Sequence, residues 1–331
     1  SHKQDLGFYR VKYPVQGKPL VSVIIPNKDE KETLQTCLEM LEKNTGYQNF
    51  EIIIVENNST TDEIFRYYKE LSGNRRIHLL RWGKEFNYSA INNFAAAHAK
   101  GEYLLLLNND TEVTDGMLDA LYRYAEKNPD VGMLGCRALD RNGMELPIAH
   151  QYESLKRIML QSYVKPVLEK MGLQRRLVKA VEHKKEGEKA FTPAQWIAGS
   201  AMFIRRDLYY QVNGLDENFF MYMEDEDLCH RVNDMGYSVG VIPYMGYVHY
   251  CGGSTIQSYF LTKEYVKSRL IFFMRYESDR FTKIQKQLYR QIAVVNPDIS
   301  EAETEIMKRE LDEFVRNKLS VAAKNVIGVK Q

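Results

Sequence analysis

The chain has 331 residues, 44% hydrophobic and 27% charged, an ordinary globular composition with room for one large α/β domain or two smaller ones. A formal net charge of +1 gives no global attraction to a polyanion, so no nucleic-acid partner is expected. No apolar run approaches the roughly 18 residues of a membrane span, and four scattered cysteines without a CxxC pair fit reduced thiols in a cytoplasmic protein, not a disulfide framework or zinc site.

Taken in chain order, the first half alternates strands and helices. Val21 to Ile25 is a short apolar run closed by Pro26. Leu34, Cys37, Leu38 and Leu41 then recur at helical spacing with one buried face. Glu51 to Val55 reads as a second buried strand, followed by a helix carrying Ile64, Tyr68 and Leu71, with Ser59 or Thr60 as its expected cap. Ile77 to Leu80 is a third strand, and Ile91, Phe94, Ala95 and His98 form a helical stripe. Tyr103 to Leu107 is the fourth strand; a further stripe at Leu118, Leu121, Tyr122 and Ala125 leads to a strand at Val131 to Leu134. Repeated strand–helix units predict a mostly parallel sheet with helices on both faces.

Residues 150–190 break that rhythm, being basic and helix-prone, and read as an insertion able to act as a lid. Trp196 to Ile204 predicts a strand with Gly199 at a close backbone approach. A helix is expected from about Asp225 to Met235, stopped by Gly236, then a strand from Ser238 to Ile242. Beyond about Tyr259 the chain reads as helical. The expected layout is a lead-in at 1–19, an α/β domain at 20–258 and a helical C-terminal extension at 259–331. The opening Ser1-His2, without a secretory signal pattern, fits one piece of a longer multidomain chain.

Four clusters carry possible chemistry. The leucine run ends in Asn108-Asn109-Asp110. Ligands bind at that end of parallel strands, and a carboxylate there can hold a divalent metal on phosphates; an ordinary Asn/Asp turn is the other reading. Glu224-Asp225-Glu226-Asp227 follows an aromatic run and opens a helix. Favourable interaction with the helix dipole is the simpler account. Four consecutive acids behind Phe219, Phe220 and Tyr222 exceed that need, and a carboxylate among aromatics can become a general base. His249 follows a strand and is either structural or a metal ligand, and Gly252-Gly253 would admit a phosphate. Asn87, before Tyr88 and Ser89, either caps a helix or helps hold an anion at its N-terminus. No GxGxxG or GxxxxGK[ST] is present, which weakens a dinucleotide oxidoreductase or P-loop NTPase.

Six segments then fall in one order. They are Val21-Ser-Val-Ile-Ile-Pro-Asn-Lys-Asp, Ile54-Val-Glu-Asn-Asn-Ser-Thr, Leu107-Asn-Asn-Asp-Thr-Glu-Val, Gly214-Leu-Asp-Glu-Asn-Phe-Phe, Glu224-Asp-Glu-Asp-Leu-Cys-His-Arg and His249. Over about 20–255 the chain resembles family 2 glycosyltransferases, in particular bacterial rhamnosyltransferase-like members that build surface polysaccharides. The resemblance implies a GT-A fold, a nucleotide-diphosphate sugar donor, Mn²⁺ or Mg²⁺, and inversion at the anomeric carbon. It puts Pro26, Asn27, Lys28 and Glu56 at the nucleoside, Asn108 and Asp110 at the DxD-type position with Asn109 between them, and His249 as a further metal ligand. Asp225 matches the catalytic base, with Glu224 beside it; Trp196 and Gly199 lie where the acceptor meets the protein. Two departures stand out: Glu56 replaces the usual Asp, and Asn-Asn-Asp leaves one carboxylate for the metal.

A hydroxyl on a growing glycan or lipid-linked glycan is the expected acceptor. Basic segments at 156–189 and 263–290 are either solvated helix faces or a surface for peripheral contact with an anionic membrane at its inner face. A nucleotidyltransferase would carry a glycine-rich signature where this chain has Pro26-Asn-Lys-Asp. A silent nucleotide-sugar or glycan-binding module would lack metal-dependent turnover.

Overall fold

The computed structural model describes residues 19–44, 46–160, 191–250 and 258–328. In chain order the elements are β1 (Val21–Asn27), α1 (Lys31–Asn44), β2 (Phe50–Asn57), α2 (Asp62–Leu71), β3 (Ile77–Trp82), α3 (Tyr88–His98), β4 (Tyr103–Leu107), β5 (Thr111–Val113), α4 (Met117–Lys127) and β6 (Val131–Leu139). Then come β7 (Glu145–Leu146), β8 (Ala149–His150), α5 (Leu155–Met159), β9 (Thr192–Ala194), β10 (Trp196–Ile197), β11 (Ala201–Arg205) and α6 (Arg206–Gln211). The chain continues through α7 (Glu224–Asp234), β12 (Ser238–His249), α8 (Tyr259–Tyr276), α9 (Phe281–Val295) and α10 (Glu301–Gly328).

The main sheet has the order β3-β2-β1-β4-β11-β6-β12-β5. Strands β3, β2, β1 and β4 are parallel neighbours, whereas β11 runs antiparallel to both β4 and β6. Every residue of β2 and β4 is buried, which is why these strands read as continuous apolar runs without alternation. The helical stripes fill the layers against them: Leu34, Cys37, Leu38 and Leu41 from α1 and Leu118, Leu121, Tyr122 and Ala125 from α4 are all buried. A second apolar cluster joins Phe219 and Met223 to Val266, Leu270 and Phe273 of α8, Ile284 and Leu288 of α9, and Met307 and Leu311 of α10. The helical extension therefore packs directly on the segment that leads into α7.

Several boundaries differ from the sequence expectation. The strand expected over Trp196 to Ile204 is two strands with a turn between them, because Gly199 and Ser200 face other elements instead of continuing a ladder. Strand β12 runs to His249, past the expected Ile242, by way of register irregularities beside β6 near Met245. Helix α2 is capped at Thr61, which makes no side-chain cap bond, and not by a Ser59 or Thr60 side chain. The carboxylate of Asp29, in the loop after β1, accepts the Thr60 and Thr61 amides at 2.6 and 2.9 Å instead. Most of the 150–190 insertion, the Gly252-Gly253 segment and the lead-in lie outside the described residues; α5 is the described start of the insertion. Among the described residues, no helix is long and apolar enough to cross a membrane.

Candidate active site

Strands β1, β2, β4 and β12 and helices α3 and α7 carry or adjoin the predicted nucleotide, metal and acidic residues. At the end of β1, Pro26 is half-buried, Asn27 buried and Lys28 exposed. Asn27 donates to the Tyr68 hydroxyl at 2.9 Å and accepts from Asn109 Nδ2 at 2.7 Å, tying the end of β1 to the turn after β4. Glu56, at the end of β2, is buried; its Oε1 accepts the Ser59 amide at 2.6 Å. Its Oε2 lies 3.5 Å from Arg81 Nε and accepts no hydrogen bond among the described residues. Asn57 Oδ1 is likewise buried without a partner there. Successive residues of a strand face opposite sides of the sheet, so these are two separate acceptors at the end of β2, and Glu56 is the one that faces Arg81.

The turn after β4 is shaped by its backbone. Asn108 N–H donates to Ser200 O at 3.0 Å, and its carbonyl accepts the Thr111 hydroxyl at 2.7 Å. This leaves the Asn108 and Asp110 side chains half-exposed on the same edge. Strand β12 pairs antiparallel with β5, placing His249 opposite Thr111. His249 Nε2 lies 3.1 Å from Asp110 Oδ1, so the predicted pair does converge. Among the described residues, no group of three His, Cys, Asp or Glu is arranged to hold a metal. One carboxylate oxygen and one imidazole nitrogen supply two ligands of a divalent ion that would take the rest from phosphate oxygens and water.

The acidic cluster opens α7. Asp225 is half-buried; its Oδ2 accepts the Gly199 amide and its Oδ1 the Glu226 amide, both at 2.9 Å. Burial pushes the Asp225 carboxyl up to about 6, against the opposing pull of those two amides. Glu224 is pushed up to about 8, first by burial and then by the Asp225 charge, and its Oε2 has no hydrogen-bond partner among the described residues. A half-buried carboxylate, fixed by two amides and titrating near neutrality, is suited to accept a proton.

Tyr88 links the β4 turn to Gly199; the sequence reading placed it in the Asn87 cluster and gave it no role of its own. Its hydroxyl lies 3.4 Å from both Asn108 Oδ1 and Gly199 O, so one phenol spans the β4 turn and the residue whose amide holds Asp225. Burial and the Glu224 and Asp225 charges push its ionisation up, so it stays a neutral donor. A tyrosine one residue past an Asn cap gave no periodic signal to reveal it. Asn87 itself caps α3, accepting from Ala90 N at 2.8 Å and donating to Glu217 O at 3.0 Å. Trp196 stacks on His150 with centroids 4.2 Å apart and donates Nε1 to Gln151 O, three positions before Gly199.

A mixed, mostly parallel sheet with acids and amides at the strand ends is the GT-A glycosyltransferase architecture. PcManGT, a mannosyltransferase from Pyrobaculum calidifontis solved in complex with GDP-Man and Mn²⁺, superposes with a TM-score of 0.54 at 14% identity, over 93% of this chain and 81% of that one. The sequence profile described as Glycosyl transferase family 2 matches residues 22–210, and the chain belongs to that family. O-antigen biosynthesis protein RfbC of Myxococcus xanthus is 36% identical over 70% of this chain, which spans 17% of RfbC. Rhamnosyltransferase WbbL of Escherichia coli K12 is 25% identical over 70% of this chain and 83% of WbbL.

Proposed function

We propose that this chain is an inverting, metal-dependent glycosyltransferase that moves a sugar from a nucleotide diphosphate to a hydroxyl of a growing glycan or lipid-linked acceptor, in bacterial surface polysaccharide synthesis. The observation that supports the reading is the Tyr88 hydroxyl, 3.4 Å from both Asn108 Oδ1 in the β4 turn and the carbonyl of Gly199, whose amide donates to Asp225. The relatives named for O-antigen synthesis and rhamnosyl transfer support dTDP-rhamnose as the first donor to try, with UDP-sugars next.

In this reading Pro26, Asn27, Lys28 and Glu56 line the nucleoside, with Asn87, Asn108 and Asn109 toward the diphosphate and sugar. Asp110 and His249 would hold Mn²⁺ or Mg²⁺, which supplies positive charge to the departing diphosphate when bound. Asp225 takes the proton from the acceptor hydroxyl as that oxygen bonds to C1 of the sugar. The C1–O bond to the diphosphate breaks in line, its electron pair leaves with the nucleotide, and the anomeric configuration inverts. General-base assistance of this kind contributes about 10²–10⁴-fold. Glu224, kept protonated beside Asp225, avoids a second charge in the same pocket. Trp196 and Gly199 line the acceptor side.

The test is turnover of dTDP-rhamnose, UDP-glucose, UDP-galactose and UDP-N-acetylglucosamine with and without Mn²⁺, alongside thermal shift. One donor is expected to stabilise the protein with Mn²⁺ and to be slowly hydrolysed by wild type but not by Asp225→Asn. Binding without any turnover would point to a silent nucleotide-sugar module.

A further inference from the structure

The turn that carries Asp225 is held from outside the sheet. Tyr222 and Met223, immediately before α7, both have φ of 70°, in the left-handed region. Neither residue type favours that conformation, and it persists only where surrounding contacts over-determine it. Helix α3 holds the approach, with the Tyr88 amide donating to Phe220 O at 3.2 Å. Helix α8 grips both flanks. Ahead of the turn, the Ser268 hydroxyl donates to Met221 O at 2.9 Å, and the Tyr265 ring meets Tyr222 edge-on. Beyond it, Asp227 is fully buried; Arg275 Nη1 and the Tyr276 hydroxyl both donate to its Oδ1. The other arm of Arg275, Nη2, donates to Asp216 Oδ2, and the guanidinium lies 5.8 Å from the Phe219 ring centroid.

We propose that Arg275 is a positioning residue for the proton-accepting carboxylate: its guanidinium ties Asp216, ahead of the strained turn, to Asp227 beyond it, and so fixes where Asp225 sits. The proposal rests on the proton-accepting role assigned to Asp225. A planar fork with donors on separate nitrogens can bridge two carboxylates in one fixed geometry, which the point charge of a lysine cannot reproduce. Asp227 lies two residues after Asp225 on the first turn of α7, so a shift of one carries the other. Arg231 also contacts Asp227, at 2.9 Å, and its Nη1 donates to Val212 O and Gly214 O, so it ties α7 to the start of the preceding loop; Arg275 adds the link to Asp216, closer to the turn, from a separate helix. Arg275 lies beyond the family-matched residues 22–210, in a helix the site itself does not reveal.

The guanidinium is reachable from solvent, because an open cavity of about 590 Å³ is lined by Asp216, Arg231, Arg275 and Tyr276. That access allows a test that a merely structural ion pair would fail. In the full chain, Arg275→Ala is expected to speed amide exchange over 221–228 while β1, β2 and β4 keep wild-type protection. On the nucleotide sugar that wild type hydrolyses, kcat is expected to fall by up to about 10²-fold, as for a misplaced catalytic group, with donor affinity unchanged. Millimolar guanidinium should restore part of the lost rate in Arg275→Ala and none in Asp225→Asn. Unchanged exchange over 221–228, a wild-type kcat, or a lost rate that guanidinium does not touch would each overturn the proposal. Should Arg275→Ala not fold, Asp216→Asn releases one arm of the bridge: slower turnover with faster exchange in the same segment supports the role, and wild-type values of both overturn it. If Asp225→Asn itself kept full turnover, the base assignment would be what failed; an inactive Asp225→Asn beside a wild-type-like Arg275→Ala would reject the Arg275 role alone.

Discussion

The backbone amide of Gly199 donates to Oδ2 of Asp225 at 2.9 Å, joining the turn before β11 to the start of α7 across 26 positions. A Cβ built on Gly199 would lie 3.3 Å from that same oxygen, tighter than an ordinary contact. Gly199→Ala is therefore expected to push the carboxylate by a few tenths of an ångström without straining its own backbone. Transfer should fall by about 10-fold or more, within the range that small misplacements produce, while donor affinity holds. Calorimetric donor titration beside steady-state rates would separate the two, and an Ala variant with wild-type rates would remove Gly199 from the site.

Asp225 must be ionised to take a proton, and burial raises it to about 6. The rate profile of the wild type should therefore lose activity as pH falls through about 6. Asp225→Asn should abolish transfer at every pH and leave donor binding nearly intact, since the nucleoside residues lie at β1 and β2. A variant that loses donor binding with activity would argue for a different role.

Glu226 offers a stability prediction with a definite sign. Burial lifts it from the ordinary 4.5 to about 8, while the Glu153 amide at 2.7 Å pulls the other way. Between those two values the unfolded chain has released a proton that the native state retains, so stability falls as pH rises across that window. Glu226→Gln keeps an acceptor oxygen for the Glu153 amide and removes the titration. Its Tm should exceed that of wild type by a few degrees near pH 8, with the gap closing toward pH 4.5. Parallel melting curves for the two proteins at all pH values would count against a buried, proton-retaining Glu226.

Asp110→Ala should remove the metal dependence of nucleotide binding. With His249 as the one remaining side chain of the pair, adding a chelator should change nucleotide affinity in wild type and leave the variant untouched. The assignment is lost if wild-type affinity ignores both chelator and mutation. Asn108→Asp, which restores a second carboxylate to the turn, should tighten Mn²⁺ binding in the same titration.

The repeating part of the fold was legible because burial writes itself as periodicity. Leu104 to Leu107 are buried on both faces of β4, and Leu34, Cys37, Leu38 and Leu41 share the buried face of α1. Asp110, His249 and Asp225 were legible by type and order, and the fold brings the first two within 3.1 Å. What stayed hidden depended on partners far away in sequence. Tyr88 meets Gly199 across 111 positions, and Asp29 replaces the Ser59 or Thr60 cap from a separate loop. Arg275 looked like one charge in a basic helical stretch; its meaning lies in Asp216 and Asp227, 59 and 48 positions away. The reversal of β11 within the sheet also left no mark, since a buried strand has the same composition in either direction.

That reversal has a chemical consequence. Were every strand at the centre of the sheet to run the same way, the edge that carries Asp110 would be a row of strand endings, each presenting carbonyl oxygens. Because β11 starts where β4 stops, with Ala201 opposite Leu107, and β5 starts where β12 stops, with Thr111 opposite His249, two strand beginnings sit among the endings, and the first has the Gly199 N–H just ahead of it. The edge thus has mixed polarity: oxygen-rich where cations and sugar hydroxyls would be met, and proton-donating at the one point where a carboxylate has to be kept in place.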